Sequence, residues 1–326
     1  MKNVFVTGGA GYVGSSLVLP LLKKGYGVTV FDLMIYGEKV LPKHENLKII
    51  RGDIRNQELL KKVIPGHDCI IHLACISNDP SFELNPSLGK QINLDSFTPL
   101  IEISKSCGIE RFIYASTSST YGIKIEKKVD EETSLEPLTD YSRFKAECEK
   151  ILLRYQSENF TTTIVRPATV CGYSPRQRLD VVVNILTNFA FNKREIKIFG
   201  GNQLRPNIHI HDMINAYLLM VKSPKKLIAG EIFNVGHDNQ SVNSIAILVK
   251  KIIGPDVKVI NIQSDDNRSY HISSEKIEKI LCFKPKFTIE DAVRDLKNAF
   301  QNNLLPNSLG DEKYFNIKMM KKIKLT

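Results

Sequence analysis

No two of the six cysteines stand in a C-x-x-C pair, so the sequence offers neither a zinc-ribbon spacing nor a dithiol redox motif. They fall at Cys69, Cys75, Cys107, Cys148, Cys171 and Cys282. Four lie inside apolar runs, where a free thiol behaves as a small buried hydrophobe, and a reduced, structural role fits a cytoplasmic protein. No apolar stretch approaches the roughly 20 residues that cross a bilayer, which excludes a membrane-spanning helix. The strand-like run Lys2-Asn3-Val4-Phe5-Val6 opens the chain without a charged-then-apolar leader, so the expected location is the cytoplasm. A basic stripe interleaved with aromatics is also missing. The formal net charge is +10, yet lysines are spread along the chain and gather only at Lys318, Lys321, Lys322 and Lys324. Such a diffuse excess reads as solvated surface with a mild attraction for anionic substrates, and no nucleic-acid partner is expected. No internal repeat and no metal-ligand spacing is visible; a metal site is not expected.

What is present suits a folded enzyme-sized chain. With 326 residues, 42% hydrophobic and 25% charged, it can bury roughly three-quarters of its unfolded surface without covalent staples. Strand-like runs occur at Val4–Thr7, Val28–Asp32, Leu47–Arg51, Cys69–Leu73, Phe112–Ala115 and Thr162–Arg166. They are apolar throughout, as in strands covered on both faces of a parallel sheet. Helix-length stretches lie between them, at Ser15–Lys24, Asn56–Val63, Leu88–Cys107 and Tyr141–Gln156. This alternation predicts an α/β, doubly wound parallel sheet. Prolines punctuate shorter elements after residue 166, which predicts a smaller α/β substrate lobe. The expected division is a dinucleotide-binding domain at 1–170, with some later strands returning to its sheet, a substrate lobe at 171–310, and a basic C-terminal tail at 311–326.

The glycines of Thr7-Gly8-Gly9-Ala10-Gly11-Tyr12-Val13-Gly14 give G-x-x-G-x-x-G between the first strand and the first helix. Gly8 permits the tight turn, Gly11 lets the backbone approach a pyrophosphate, and Gly14 lets the helix pack closely. The helix start then offers unpaired amides and a positive dipole end. Asp32 ends the second strand, 24 residues after Gly8, where a carboxylate accepts from ribose hydroxyls and repels a 2′-phosphate. No arginine follows in residues 33–39, so NAD is favoured over NADP. Asp53, in Gly52-Asp53-Ile54, is placed to meet the adenine amino group. His72-Leu73-Ala74-Cys75 offers small residues at the next strand end.

Tyr141 and Lys145 stand four residues apart, hence on one face of a helix. An unperturbed phenol has a pKa of ~10, and the Lys145 ammonium and the positive nicotinamide ring both stabilise the phenolate and lower that value. The phenol would then take a proton from a sugar hydroxyl while hydride leaves the same carbon. The hydroxyl-rich segment Ser116-Thr117-Ser118-Ser119-Thr120-Tyr121-Gly122 ends the fifth strand, and one of its hydroxyls is expected to bridge substrate and Tyr141.

With these residues assembled, the chain resembles the NAD-dependent epimerase/dehydratase family, extended short-chain dehydrogenases that modify nucleotide sugars. The resemblance spans about residues 2–300 and rests on Thr7–Gly14, Asp32, Gly52–Ile54, His72–Ala74, Asn93, Ala115–Gly122, Tyr141–Lys145, Arg166-Pro167 and Arg205–Asp212. It implies a Rossmann domain holding NAD, with Tyr12, Val13, Ile54, Leu73 and Ala74 joining the glycines and aspartates at the cofactor. Thr117 is selected as the catalytic hydroxyl. Asn93 matches the asparagine that props the active-site helix, Pro167 a residue beside the nicotinamide, and Ser77 a position near cofactor and sugar.

For the substrate, the resemblance nominates Thr169 in the sugar pocket, with Asn184, Arg205 and Arg268 at the nucleotide diphosphate. Guanidinium groups suit phosphate. Arg176 and Arg178 either contact phosphate or sugar, or form a charged loop near the sheet end. His209 and His211 read as strand packing and capping. Dehydrating members look like Thr-Asp-Glu where this chain has Thr117-Ser118-Ser119, and the glutamate usual in decarboxylating members is missing too. That leaves hydride-plus-one-proton chemistry. The leading expectation is nucleotide-sugar 4-epimerisation through a 4-keto sugar. The alternative is a C4 dehydrogenase or reductase, because Cys171–Asp180 resembles a subset that includes GDP-heptose C4 dehydrogenases. A non-catalytic NAD-binding protein is the distant third, since Tyr141 and Lys145 are both retained. The resemblance also implies a homodimer paired through Leu88–Cys107 and Tyr141–Gln156.

Overall fold

β-Branched and aromatic runs become strands within a residue of where the pattern places them. In the computed structural model, which describes residues 1–124, 126, 128–263, 269 and 271–325, these are β1 (Asn3–Thr7), β2 (Gly27–Asp32), β3 (Leu47–Arg51), β4 (Cys69–His72), β5 (Arg111–Ala115) and β6 (Thr161–Pro167). The chain continues with β7 (Thr169–Cys171), β8 (Glu195–Phe199), β9 (Leu204–His209), β10 (Glu231–Val235), β11 (Asp238–Ser241) and β12 (Lys258–Ile262). Seven strands form the main sheet in the order β10-β6-β5-β4-β1-β2-β3. Every neighbouring pair is parallel.

Both faces of this sheet are covered, which is why its strands carry apolar residues at successive positions. Val4, Val6, Val28 and Val30 pack with Leu17 and Leu21 of the helix Tyr12–Lys23 and with Met213 and Tyr217 of the helix Ile210–Lys222. On the other face, Phe5, Phe31, Ile70 and Phe112 meet Phe97 and Leu100 of the helix Phe97–Ser106 and Leu152 of the helix Asp140–Arg154. β1 lies between β2 and β4, so the chain reverses its winding there. All the strand C-termini open at one edge, and ligands of open α/β sheets bind at such a switch point.

The boundary near residue 170 is crossed twice. The helix Ile210–Lys222 and β10 both belong to the first layer, because β6 would otherwise be an exposed edge. What remains is a smaller lobe. It holds a three-stranded sheet ordered β11-β9-β7, the parallel pair β12-β8, and a core that includes Val183, Ile196, Ile245 and Val293. Residues 311–325 pack on the body of the protein: Tyr314 and Phe315 are buried, and a helix, Asn316–Ile323, follows them. The single helix expected over Leu88–Cys107 is instead Pro86–Lys90, a stretch of wider turns over Gln91–Asp95, and Phe97–Ser106. None of the six cysteines forms a disulfide. Among the described residues no helix is long and apolar enough to cross a membrane.

Candidate active site

The glycine loop is where sequence and packing agree most closely. Gly8 has φ +72°, and a side chain there would strike the backbone of Ala74, 2.6 Å from a Cβ. A Cβ on Gly14 would lie 2.4 Å from the carbonyl oxygen of Gly8, so the helix can start this near the turn only with glycine. Gly11 is the N-cap and brings no side-chain cap, which leaves the first-turn amides facing the cavity. Asp32 accepts from the Ala10 amide at 3.0 Å and the Met34 amide at 2.8 Å, binding the end of β2 to the glycine loop. Burial raises its pKa, an effect opposed by those two amides and by Arg176.

A second polar link ties β1 to β4. The Thr7 hydroxyl lies 2.7 Å from His72 Nδ1 and accepts from the Ala74 amide at 3.3 Å. His72 is buried, and desolvation, helped by the Lys145 charge, pushes its pKa down to about 3. An unfolded histidine titrates near ~6.5. Between those values the unfolded chain binds a proton that the folded chain refuses, so this contribution is fully present above the unfolded pKa and is lost as pH falls toward 3. Urea titrations from pH 7 to pH 4 should therefore show falling stability in wild type and a shallower fall in His72→Gln. Equal slopes would mean that His72 contributes nothing.

The catalytic candidates share one helix and one strand end. The helix Asp140–Arg154 starts with a reciprocal cap, Thr139 accepting from the Ser142 amide at 3.3 Å and Ser142 Oγ from the Thr139 amide at 3.2 Å. Thr139 also donates to Asp79 at 2.5 Å, fixing the angle at which Tyr141 enters. The Thr117 hydroxyl stands on the same cavity wall as the Tyr141 phenol and works to lower its pKa. The phenol pKa is nevertheless raised: burial dominates, Cys75 and Asp79 add to it, and Arg178 and Thr117 oppose it. Lys145 is not among the charges that oppose this rise. Lys145 instead donates to the Ala115 carbonyl at 2.7 Å and sits 4.8 Å from the Tyr114 ring centre, because β5 runs directly beneath it.

A cavity of about 380 Å³ gathers these parts. Its wall carries Gly8, Gly11, Tyr12, Val13 and Gly14, then Asp32, Asp53, Ile54, Leu73 and Ala74. Thr117, Tyr141, Lys145 and Pro167 stand on the same wall with Ser77, Thr169, Arg176 and Arg178. Asp53 is gripped by Arg55, whose Nη2 donates at 2.6 Å. Burial works to raise the Asp53 pKa, but the Arg55 bonds leave it below the ordinary value.

Several expected residues lie elsewhere. Asn93 is outside the cavity wall and clamps the backbone of Ile76, accepting from its amide at 2.8 Å and donating to its carbonyl at 2.9 Å. Asn184 is fully buried and committed to neighbours: it accepts from the Gly172 amide at 3.0 Å and donates to the Arg178 carbonyl at 2.8 Å. It organises the loop that carries Arg176 and Arg178, and, with its second amide hydrogen given to the Tyr12 hydroxyl at 3.0 Å, it has no donor left for a diphosphate. Arg205 lies on β9 outside the cavity wall, and Arg268 lies outside the described residues. His209 caps the helix Ile210–Lys222 by accepting from the His211 amide, stands 3.2 Å from Asp295, and stacks on Phe287. That is the packing and capping role read from the sequence. Tyr36, Asn316 and Met320 line the cavity without any motif to announce them.

Residues 4–236 match the model of the NAD dependent epimerase/dehydratase family. The chain belongs to that family. It is 28% identical over 316 residues to a UDP-glucose 4-epimerase of Lactobacillus helveticus, covering 89% of this chain and 94% of the relative. A dTDP-glucose 4,6-dehydratase of Streptomyces niveus is 26% identical over 324 residues, covering 92% and 93%. Among solved structures, the UDP-glucose 4-epimerase of Thermotoga maritima with UDP-glucose superposes with a TM-score of 0.84 at 26% identity, covering 93% of this chain and all of that one. The UDP-glucuronic acid 4-epimerase of Bacillus cereus, in complex with UDP-glucuronic acid and NAD, gives 0.83 at 26% identity, with the same coverage. The protein is therefore an NAD-dependent enzyme of the nucleotide-sugar epimerase/dehydratase family. Its own residues fit NAD: an uncapped helix start for the phosphates, and a carboxylate at the end of β2 for the ribose.

Proposed function

We propose that the protein is an NAD-dependent nucleotide-sugar 4-epimerase. The observation that carries this reading is one cavity wall bearing Thr117, Tyr141 and Lys145 beside the glycine loop, with serines at 118 and 119. Bound NAD supplies a hydride acceptor for C4. Tyr141 takes the proton of the C4 hydroxyl, Thr117 bridges phenol and sugar oxygen, and Lys145 holds the helix against β5. C4 would lose hydride as its hydroxyl oxygen loses the proton to Tyr141, giving the 4-keto sugar; hydride would return to C4 and the proton to the oxygen once the sugar has turned its other face.

Dehydration needs more: an acid to protonate a departing hydroxyl and a base for a second carbon–hydrogen bond. The turn after Thr117 offers only hydroxyls, Ser119 lying 3.0 Å from Thr117. Asp79, a carboxylate on the same wall, accepts from Thr139.

The test is direct. Purified protein is incubated with UDP-, GDP- and dTDP-hexoses and the products are read by proton NMR. A C4 epimer without net NADH supports the proposal. A 4-keto sugar with equimolar NADH favours the C4 dehydrogenase instead, and a dehydrated sugar overturns the reading.

A further inference from the structure

The segment after residue 310 carries no motif, yet it closes the cavity. Tyr314 and Phe315 are buried with Leu179, Leu296 and Leu305 of the smaller lobe. The Leu179 amide donates to the Tyr314 carbonyl at 2.8 Å, and Asp180 accepts from the Asn316 amide at 2.8 Å. From this anchor the helix Asn316–Ile323 crosses to the dinucleotide half, where Met320 and Leu325 pack against the cluster containing Ile76, Phe82 and Tyr141. The strap is pinned in both halves.

Asn316 stands at the crossing and is 6% exposed. Its Nδ2 donates to Ser77 at 2.9 Å, on the substrate side. Its Oδ1 accepts from the Tyr36 hydroxyl at 3.0 Å and from Arg176 Nη2 at 2.5 Å. Tyr36 follows the strand that ends in Asp32, so this side borders the ribose-binding carboxylate. The Arg176 guanidinium lies 3.6 Å from the centre of the Tyr36 ring, and its buried Nε has no hydrogen-bond partner among the described residues. A guanidinium buried on a cavity wall with an unmet donor is suited to an anion entering that cavity.

We propose that Asn316 is a positioning residue that holds Arg176 toward the phosphates of the dinucleotide, and that the strap carrying it retains the dinucleotide between turnovers. The proposal rests on the epimerase reading in one respect: only a retained cofactor returns hydride to the sugar it came from. Arg176 is the cation, Tyr36 the flat support beneath it, and Asn316 the latch that fixes its direction.

The experiment measures exchange of bound NAD for isotopically labelled NAD in the 326-residue protein, read by mass spectrometry after denaturation. Thermal melting of NAD-free protein reports folding. Asn316→Ala, and a chain ending at Phe315, should each exchange about ten-fold faster or more, the effect of losing one charge-assisted contact, while Asn316→Ala still melts cooperatively, somewhat below wild type. Arg176→Met should show a similar increase, and adding Asn316→Ala to it should add little, since both act through one guanidinium. Should the shortened chain melt early, Asn316→Ala and the Arg176→Met pair decide. Wild-type exchange rates in Asn316→Ala, or full additivity of the pair, overturn the proposal. Faster exchange in a protein that epimerises no sugar keeps the strap and removes the epimerase reading.

Discussion

Tyr141→Phe should abolish most turnover while NAD stays bound. The expected loss is about 10²- to 10⁴-fold in kcat, the usual contribution of a positioned acid–base group. The ring packs in the apolar cluster around Phe82, Phe112 and Ile76 and keeps that packing as phenylalanine. Only the hydroxyl and its interaction with Thr117 are removed. Fold and cofactor site should therefore survive, which cofactor content and melting temperature would check. A variant with near wild-type kcat would place the base elsewhere and end the proposed mechanism.

The phenol also predicts a pH profile whose sign is fixed by its surroundings. Burial first, then Cys75 and Asp79, hold its pKa above the ordinary value, and Arg178 is the charge that opposes them. Removing Arg178 raises the phenol further, so less of it is ionised at any given pH. In Arg178→Met the rising limb of kcat should move to higher pH. If Arg178 serves only to bind substrate, KM rises and the limb stays in place. Arg178 stands 2.5 Å from Asp180 and 3.4 Å from Ser77, so both outcomes are open to measurement at one site.

Legibility in the sequence followed the range of the forces involved. The main-sheet strands are set by local runs of β-branched and aromatic residues, and the glycine loop by close backbone approach at Gly8 and Gly14. The strand runs and the Gly14 approach to Gly8 lie within a few residues and are readable, and the spacing of the glycines marks Gly8 although its neighbour Ala74 is distant. Asn184 and Arg205 were matched by motif position alone. Whether a side chain at such a position faces a ligand depends on which neighbour claims its hydrogen bonds, and for Asn184 these are Gly172 and Arg178. The surroundings of the phenol are hidden for a related reason. Spacing places Lys145 on its face of the helix, but it cannot show that Ala115, thirty residues away, takes the ammonium. Asn316 was invisible, because its partners Tyr36, Ser77 and Arg176 lie 280, 239 and 140 residues off.

The same helix face carries one residue more, and here the largest stability effect is expected. Tyr141, Lys145 and Glu149 are spaced i, i+4, i+8, so they form one stripe. Glu149 accepts from Ser116 and is held by Arg166 of β6, whose Nη2 donates at 2.6 Å and Nε at 3.1 Å to either carboxylate oxygen. Both side chains are all but inaccessible, at 2% and 4% exposure. Arg166 further donates to Tyr121 at 2.8 Å, which donates to Asn234 of β10 at 2.8 Å. Arg166→Met should destabilise the protein by about 3–5 kcal/mol, the cost of leaving one buried charge without its partner. The double variant Glu149→Leu, Arg166→Met should recover most of that loss, because it removes both desolvation penalties together. If the pair serves only stability, the double variant is also fully active. The geometry predicts otherwise: Ser116 precedes Thr117, and Glu149 lies two turns from Tyr141, so the ion pair sets the hydroxyl of one against the phenol of the other. A recovered unfolding midpoint with a reduced kcat, read by denaturant titration and turnover on the same preparation, is the expected result.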